Sequence, residues 1–424
     1  MDTKAAHAFL ADQIPIKQQV VLPPAFRSAY AEAAPFGAGS PRAATTARRL
    51  RPSKLRDARF AMRLTQTELG DTIGKTRQSV SMYESGQTIP EPLVMERIAN
   101  AVEQPLTYFV DDPPPEFGES STRFFRAFGL KTKRRNLACE VLGSWLVKTA
   151  KCLDGIVNYP SVSIPLAPVP ESADGRYSPE EIEALAAQCR QMWGLGQGPI
   201  SNVVSLLENK GVIVCRYGIP NETIQAFSFW NGNRAFVFLA SEKSSSVRAR
   251  FDAAHELGHL IMHRGIGIED IEDQPEKLKQ VESEADKFAS AFLLPKGSFL
   301  GEVFSTRLDA FLPLKRRWKV SIQGLVMRCH HLGVIDDDQY LNLFKTISFR
   351  KWRKREPYDD EFPMEEPKLL SRAASLVLES GHRSADELAA AIQINRRVIE
   401  QLCNLPEGAL NSTATITEFR PSLK

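Results

Sequence analysis

The stretch "FDAAHELGHLIMH", residues 251–263, most constrains what this chain can become. His255 and His259 stand four apart inside an apolar run, with Glu256 directly after the first histidine. On a helix, side chains four residues apart project from one face, so both imidazoles converge on one point. That spacing suits the grip of a single zinc ion, and the neighbouring carboxylate reaches water at the ion's open position. His263 brings to three the histidines within nine positions, of seven in the chain. Three ligands along one straight helix cannot surround a tetrahedral ion, so His263 reads as a packing or hydrogen-bonding residue.

A third ligand has to come from another segment. In "QVESEADKFASAFLLP" (280–295), Glu282 and Asp286 share a helix face. Glu282 is the expected metal ligand, and Asp286 the expected acceptor for a ligand histidine's outer N–H. Glu284 is the rival ligand and projects to a different side of the helix. Glu256 is placed to take a proton from water and pass it to a leaving amine. His330, His331 and Tyr217 are weak candidates for an oxyanion partner, and Arg248 and Arg250 for structural ion pairs.

The 424 residues allow two or three domains, and shares of 43% hydrophobic and 25% charged residues are those of an ordinary globular protein. The sequence shows neither an apolar run of about 18 residues nor a basic-then-apolar leader, which predicts a cytoplasmic protein without a membrane span. Six scattered cysteines with no CxxC pair argue against a disulfide framework and against a cysteine zinc site.

The net charge of +3 says little, but its distribution says more. Arg48, Arg49, Arg51, Lys54, Arg56, Arg59 and Arg63 face a single nearby acid, Asp57, which suits an anionic partner. Directly behind lies "LTQTELGDTIGKTRQSVSMYESG" (64–86). Leu69, Ile73, Val80 and Tyr83 fall where two short helices would bury one face against a third, Gly74 suits the turn, and Thr76 suits the cap of the second helix. A recognition helix beginning at Arg77 would enter the major groove and present Arg77, Gln78, Ser79, Ser81 and Met82, with Thr76 at its cap and Gln66 beside the DNA backbone.

This stretch, with "LVMERIANAVEQPLTYF" after it, resembles the Cro/phage-repressor (XRE) helix-turn-helix family. The segments "RARFDAAHELGHLIMH", "ESEADKFASAFLLP", "LKRRWKVSIQGLVMRCHHLGVI" and "FRKWRKREP" resemble the ImmA/IrrE family of zinc metallopeptidases. That resemblance implies one zinc ion on His255, His259 and Glu282, with Glu256 catalytic. Asp286 departs from the family's common asparagine, but either side chain accepts the outer hydrogen bond. The fusion implies a DNA-binding transcription regulator whose peptidase domain cleaves a repressor-type protein, or itself, in stress response or in phage and mobile-element control. The alternative is a regulator whose zinc domain senses a ligand or stress without hydrolysis. The implied partners are a double-stranded DNA operator, a protein substrate and a second copy of the chain, since one helix-turn-helix reads only a half-site.

The predicted class is mainly α with a small β-sheet (α+β). Residues 1–47 are expected to be disordered, and 48–112 to form the helix-turn-helix domain. Residues 113–177 are expected as a helical and proline-rich connector, 178–357 as the zincin-like metallopeptidase domain, and 358–424 as a helical C-terminal unit with a frayed tail. Strands are expected in 212–219, 224–230 and 234–240, with "NGN" as a hairpin turn. A helix over 120–157 is the candidate dimer interface. Residues 384–402 can be laid on 65–83 at a constant offset of 319, which predicts a second unit with helix-turn-helix-like packing.

Overall fold

The computed structural model describes residues 50–110, 123–125, 133–172, 174–218, 226–240, 245–266 and 274–411. The expectations for residues 1–47 and for the tail beyond 411 lie outside them. The chain divides into two compact units, Met1–Pro113 with Arg134–Val141, and Pro114–Lys133 with Leu142–Lys424. The segments 178–357 and 358–411 therefore belong to one unit.

Among the described residues up to 110, the first unit has the helices α1 (Pro52–Ala61), α2 (Gln66–Ile73), α3 (Arg77–Ser85) and α4 (Pro92–Ala101), followed by a short 3-10 turn over Leu106–Val110. Thr65 and Glu68 form a reciprocal capping box at the start of α2, and Gly74 ends that helix in the left-handed region at φ 70°. Thr76 then caps α3 by accepting from the Ser79 N–H at 3.2 Å. Gly70 allows the close turn between the two helices, since a Cβ there would meet the Lys75 carbonyl oxygen at 2.7 Å. Leu69, Ile73 and Val80 are buried, while Tyr83 is only half-buried.

Arg59, counted by charge pattern among the basic residues suited to an anionic partner, is instead interior. Its guanidinium holds both oxygens of Glu84 at 2.5 and 2.9 Å and the Leu64 carbonyl at 2.7 Å. A buried guanidinium needs this full set of acceptors.

In the second unit, β1 (Arg123–Phe125), β2 (Ile213–Tyr217), β3 (Ala226–Asn231) and β4 (Arg234–Ala240) form one sheet in the order β1-β3-β4-β2. β3 and β4 are the two arms of a hairpin turning at Gly232–Asn233, and β2 runs parallel to β4. Phe227 stacks on Phe238 and Phe229 on Phe236 on one face. The alternate residues Ala226, Trp230, Ala235, Val237 and Leu239 join the core that contains the site helix.

The helix expected over 120–157 begins only at Lys133 and ends at Asp154 (α5), while residues 123–125 are a strand. The apolar repeat behind that expectation starts at Leu137, and Arg-Phe-Phe extends just as readily once an edge is there to pair with. Leu142, Trp145 and Leu146 of α5, the helix expected as a dimer interface, are buried within this one chain.

α6 (Pro179–Met192) starts at the capping box of Ser178 and Glu181, and α7 (Val203–Asn209) follows. α8 (Ser246–Met262) packs on β3 and β4, and α9 (Pro275–Leu293) packs on α8 and α6. Beyond them come α10 (Lys296–Glu302), α11 (Phe311–Trp318), α12 (Ile322–His331), α13 (Asp337–Phe349), α14 (Leu369–Glu379), α15 (Ala385–Ile392) and α16 (Arg396–Leu402).

Buried carboxylates join these later segments to the earlier ones. Glu365 accepts from the Val203 and Val204 N–H groups at the start of α7 and pairs with Arg250 of α8. Glu208, at the other end of α7, accepts from the Lys368 and Leu369 N–H groups that open α14. Glu356 caps α12 through the Ile322 and Gln323 N–H groups and binds the fully buried Lys315 ammonium at 2.8 Å.

The echo at offset 319 is structural as well as sequential. Ser384 and Glu387 repeat the capping box, Gln393 takes the left-handed place of Gly74 at φ 56°, and Asn395 caps α16. Arg396, the counterpart of Arg77, is tied to Asp386 and to the Leu410 carbonyl.

Candidate metal centre

α8 carries His255, Glu256 and His259 into the core, with exposures of 9%, 1% and 0%. α9 approaches closely because residue 258 is glycine. A Cβ there would meet Phe288 and Ala285 at 3.2–3.3 Å, tighter than ordinary contact. That approach brings Glu282 to the imidazole pair: Oε2 lies 3.5 Å from His255 Nε2, and Oε1 lies 3.6 Å from His259 Nε2. One donor atom from each of the three residues falls within 4.8 Å of the others. Glu282 and Asp286 are 29% and 48% exposed, so the cluster opens to solvent on the α9 side.

Hydrogen bonds around the cluster fix which nitrogens carry protons. The Glu284 carboxylate lies 2.9 Å from His263 Nε2, so that nitrogen donates and His263 Nδ1 is left as an acceptor. His259 Nδ1, 3.0 Å from it, then donates, which leaves His259 Nε2 with a lone pair. His255 Nδ1 donates to Asp286 at 2.8 Å, so its Nε2 also presents a lone pair. The two Nε2 atoms face each other at 2.9 Å. Two lone pairs at that distance repel, so the site calls for a positive charge between them. A proton partly meets the demand: burial opposes charge on His255, yet its bonds to Asp286 and Glu282 hold it well above the usual imidazole range. His259 is held well below that range, by burial first and then by its neighbouring histidines. Glu282 Oε1 is buried without a hydrogen-bond partner, as a carboxylate oxygen meant for a cation would be. The donor set of two imidazole nitrogens and one carboxylate oxygen fits zinc.

Residues 207–330 match the IrrE N-terminal-like domain. Residues 55–109 match a helix-turn-helix family. The chain thus joins an XRE-type helix-turn-helix to an IrrE-like domain of a peptidase family. No curated protein matches it.

In the IrrE-like domain, the rival ligand Glu284 is turned away from the cluster. It is buried and fully engaged, by His263, by the Tyr177 N–H at 3.2 Å and by Gln280 at 2.9 Å. Of the oxyanion candidates, His331 is exposed at the end of α12. His330 is held by Asp337 at 2.7 Å, and Tyr217 rests against Phe238. Arg250 pairs with Glu365, and Arg248 donates to the Arg353 carbonyl. Sequence reasoning missed two contributors: Glu284 as the partner of His263, and Ser228, whose hydroxyl donates to the Glu256 carbonyl at 3.3 Å.

In the helix-turn-helix unit, Thr76, Arg77, Gln78 and Ser81 are exposed, and Ser79 and Met82 half-buried, at the front of α3. Gln66 donates through its amide to Glu84 at 2.9 Å, which fixes the side chain against the far end of α3.

Proposed function

We propose that the protein is a DNA-binding regulator whose IrrE-like domain is a zinc-dependent endopeptidase acting on a repressor-type protein or on a copy of itself. The observation that carries the reading is Glu256. Its carboxylate is 1% exposed, and Oε2 has no hydrogen-bond partner among the described residues. A carboxylate oxygen buried without a bond costs stability, but it suits a base that must take a proton. Burial pushes this carboxyl up to about 8, against the pull of His255 and Ser228, into the range where a group exchanges protons near neutral pH.

His255, His259 and Glu282 would hold the metal, which when bound polarises a peptide carbonyl and makes its water a nucleophile near neutral pH. Asp286 and the Glu284–His263 pair orient the two imidazoles. Glu256 accepts the proton and returns it to the departing amine. Arg77, Gln78 and Ser81 present donors to base edges, with Thr76, Ser79 and Met82 beside them, on an operator bound as a dimer.

The test is to incubate the zinc-loaded protein and its Glu256→Gln form with purified repressor-type helix-turn-helix proteins, and each alone. Fragments from the first form only are expected. Fragments from both forms, or from neither, would overturn the hydrolytic reading; a zinc-binding protein that cuts nothing would be a ligand or stress sensor, set in the stress or phage control the fusion suggests.

A further inference from the structure

A peptide cut at this centre has to lie extended beside Glu256, and an extended chain is held best by the edge of a sheet. β3 packs on the helix that carries Glu256, with the Ser228 hydroxyl on the Glu256 backbone carbonyl at 3.3 Å and Trp230 Nε1 on the Leu260 carbonyl at 3.2 Å. Asn231 and Arg234 close a two-residue turn, so they exchange hydrogen bonds, as do Phe229 with Phe236 and Phe227 with Phe238. The backbone groups of Trp230 and Ser228 therefore point to the outer edge. That edge is taken: β1 lies on it antiparallel, Arg123 opposite Trp230 and Phe125 opposite Ser228.

We propose that the outer edge of β3 is the docking strand for the substrate peptide, and that Arg123–Phe125 occupies it in the resting protein as a built-in competitor. This deepens the peptidase reading and rests on it. By sequence, the three residues lie between the helix-turn-helix match ending at 109 and α5. The competitor is thus covalently attached and present at high effective concentration, so a free peptide has to displace it. The substrates that fit are extended segments supplying an N–H and C=O at every second residue.

The register makes the test specific. The Phe125 N–H faces β3, so Phe125→Pro removes a ladder bond, whereas the Phe124 N–H faces away and Phe124→Pro spares the ladder. A fluorescein-labelled peptide spanning residues 119–128 is titrated into full-length wild type and both variants, and hydrogen exchange is followed in β3. Neither readout needs cleavage, so a protein that cuts nothing can still pass or fail. Phe125→Pro is expected to bind the peptide about tenfold more tightly than wild type or Phe124→Pro. The Ser228 and Trp230 amides should be protected in wild type and exchange about tenfold faster in Phe125→Pro. The proposal is overturned if the two proline variants bind alike, if Phe125→Pro gains nothing, or if those amides exchange at equal rates in wild type and Phe125→Pro.

Discussion

His263 Nε2 stands 2.9 Å from Glu284 Oε2, and this contact decides which nitrogen of His259 is bare. Without it, His263 no longer has to accept from His259 Nδ1, and the lone pair aimed at the metal position is not enforced. Glu284→Gln and His263→Phe should therefore weaken zinc binding about 10–100-fold, as removal of such outer partners does elsewhere. Chelator competition on the folded variants measures it; unchanged affinity would reduce His263 to packing.

Asp286 plays the same part for His255 from the exposed side. Asp286→Asn, which still accepts through its amide oxygen, should stay within a few-fold of wild-type zinc affinity, while Asp286→Ala should lose about tenfold or more. Equal losses in both would mean that the negative charge, rather than the hydrogen bond, matters.

Zinc uptake should strengthen with pH. Burial opposes charge on His255, but its bonds to Asp286 and Glu282 hold its proton well above the usual imidazole range, and the metal must expel that proton from Nε2. Below that raised range, affinity should climb about tenfold per pH unit for each proton displaced, and level off above it. Calorimetry in buffers of different ionisation enthalpy counts the released protons; a flat profile would contradict the assignment.

On the DNA-binding unit, Arg77 and Arg59 should separate cleanly. Arg77 is exposed at the front of α3, so Arg77→Ala should weaken operator binding by about 1–3 kcal/mol with little change in melting temperature. Arg59→Ala strands the buried Glu84 carboxylate and should destabilise the unit by about 3–5 kcal/mol. Gel shifts paired with thermal melts distinguish them.

Glu356→Ala removes the cap of α12 and one of two counter-charges of Lys315, which has no exposed surface. A loss of about 3–5 kcal/mol is expected in denaturant unfolding, and a smaller one for Glu356→Gln.

That His255, His259 and Glu282 come together was legible in the sequence because each of the two helices carries its share at a spacing of four: His255 with His259, and Glu282 with Asp286. The helix-turn-helix was legible through caps and turn residues, which act locally. Contacts fixed by packing between elements were not. Glu284 meets His263 only because Gly258 lets α9 close on α8, and nothing in "ESEAD" says which way its second glutamate turns. The strand at 123–125 exists through the edge of β3, far away in sequence, so its own three residues could not distinguish it from the start of a helix.

Glu208 and Glu365 exchange favours: each carboxylate, from one side of the same seam, closes the helix that starts on the other. The recognised IrrE-like segment stops at residue 330, short of this stitching. A gene fragment trimmed to residues 207–330 would lose the capped start of α7 together with Glu365, and would leave Arg250, one turn and a half before His255, holding a buried charge alone. Expression of the IrrE-like half thus calls for boundaries drawn by carboxylates far downstream, rather than by the reach of the motif.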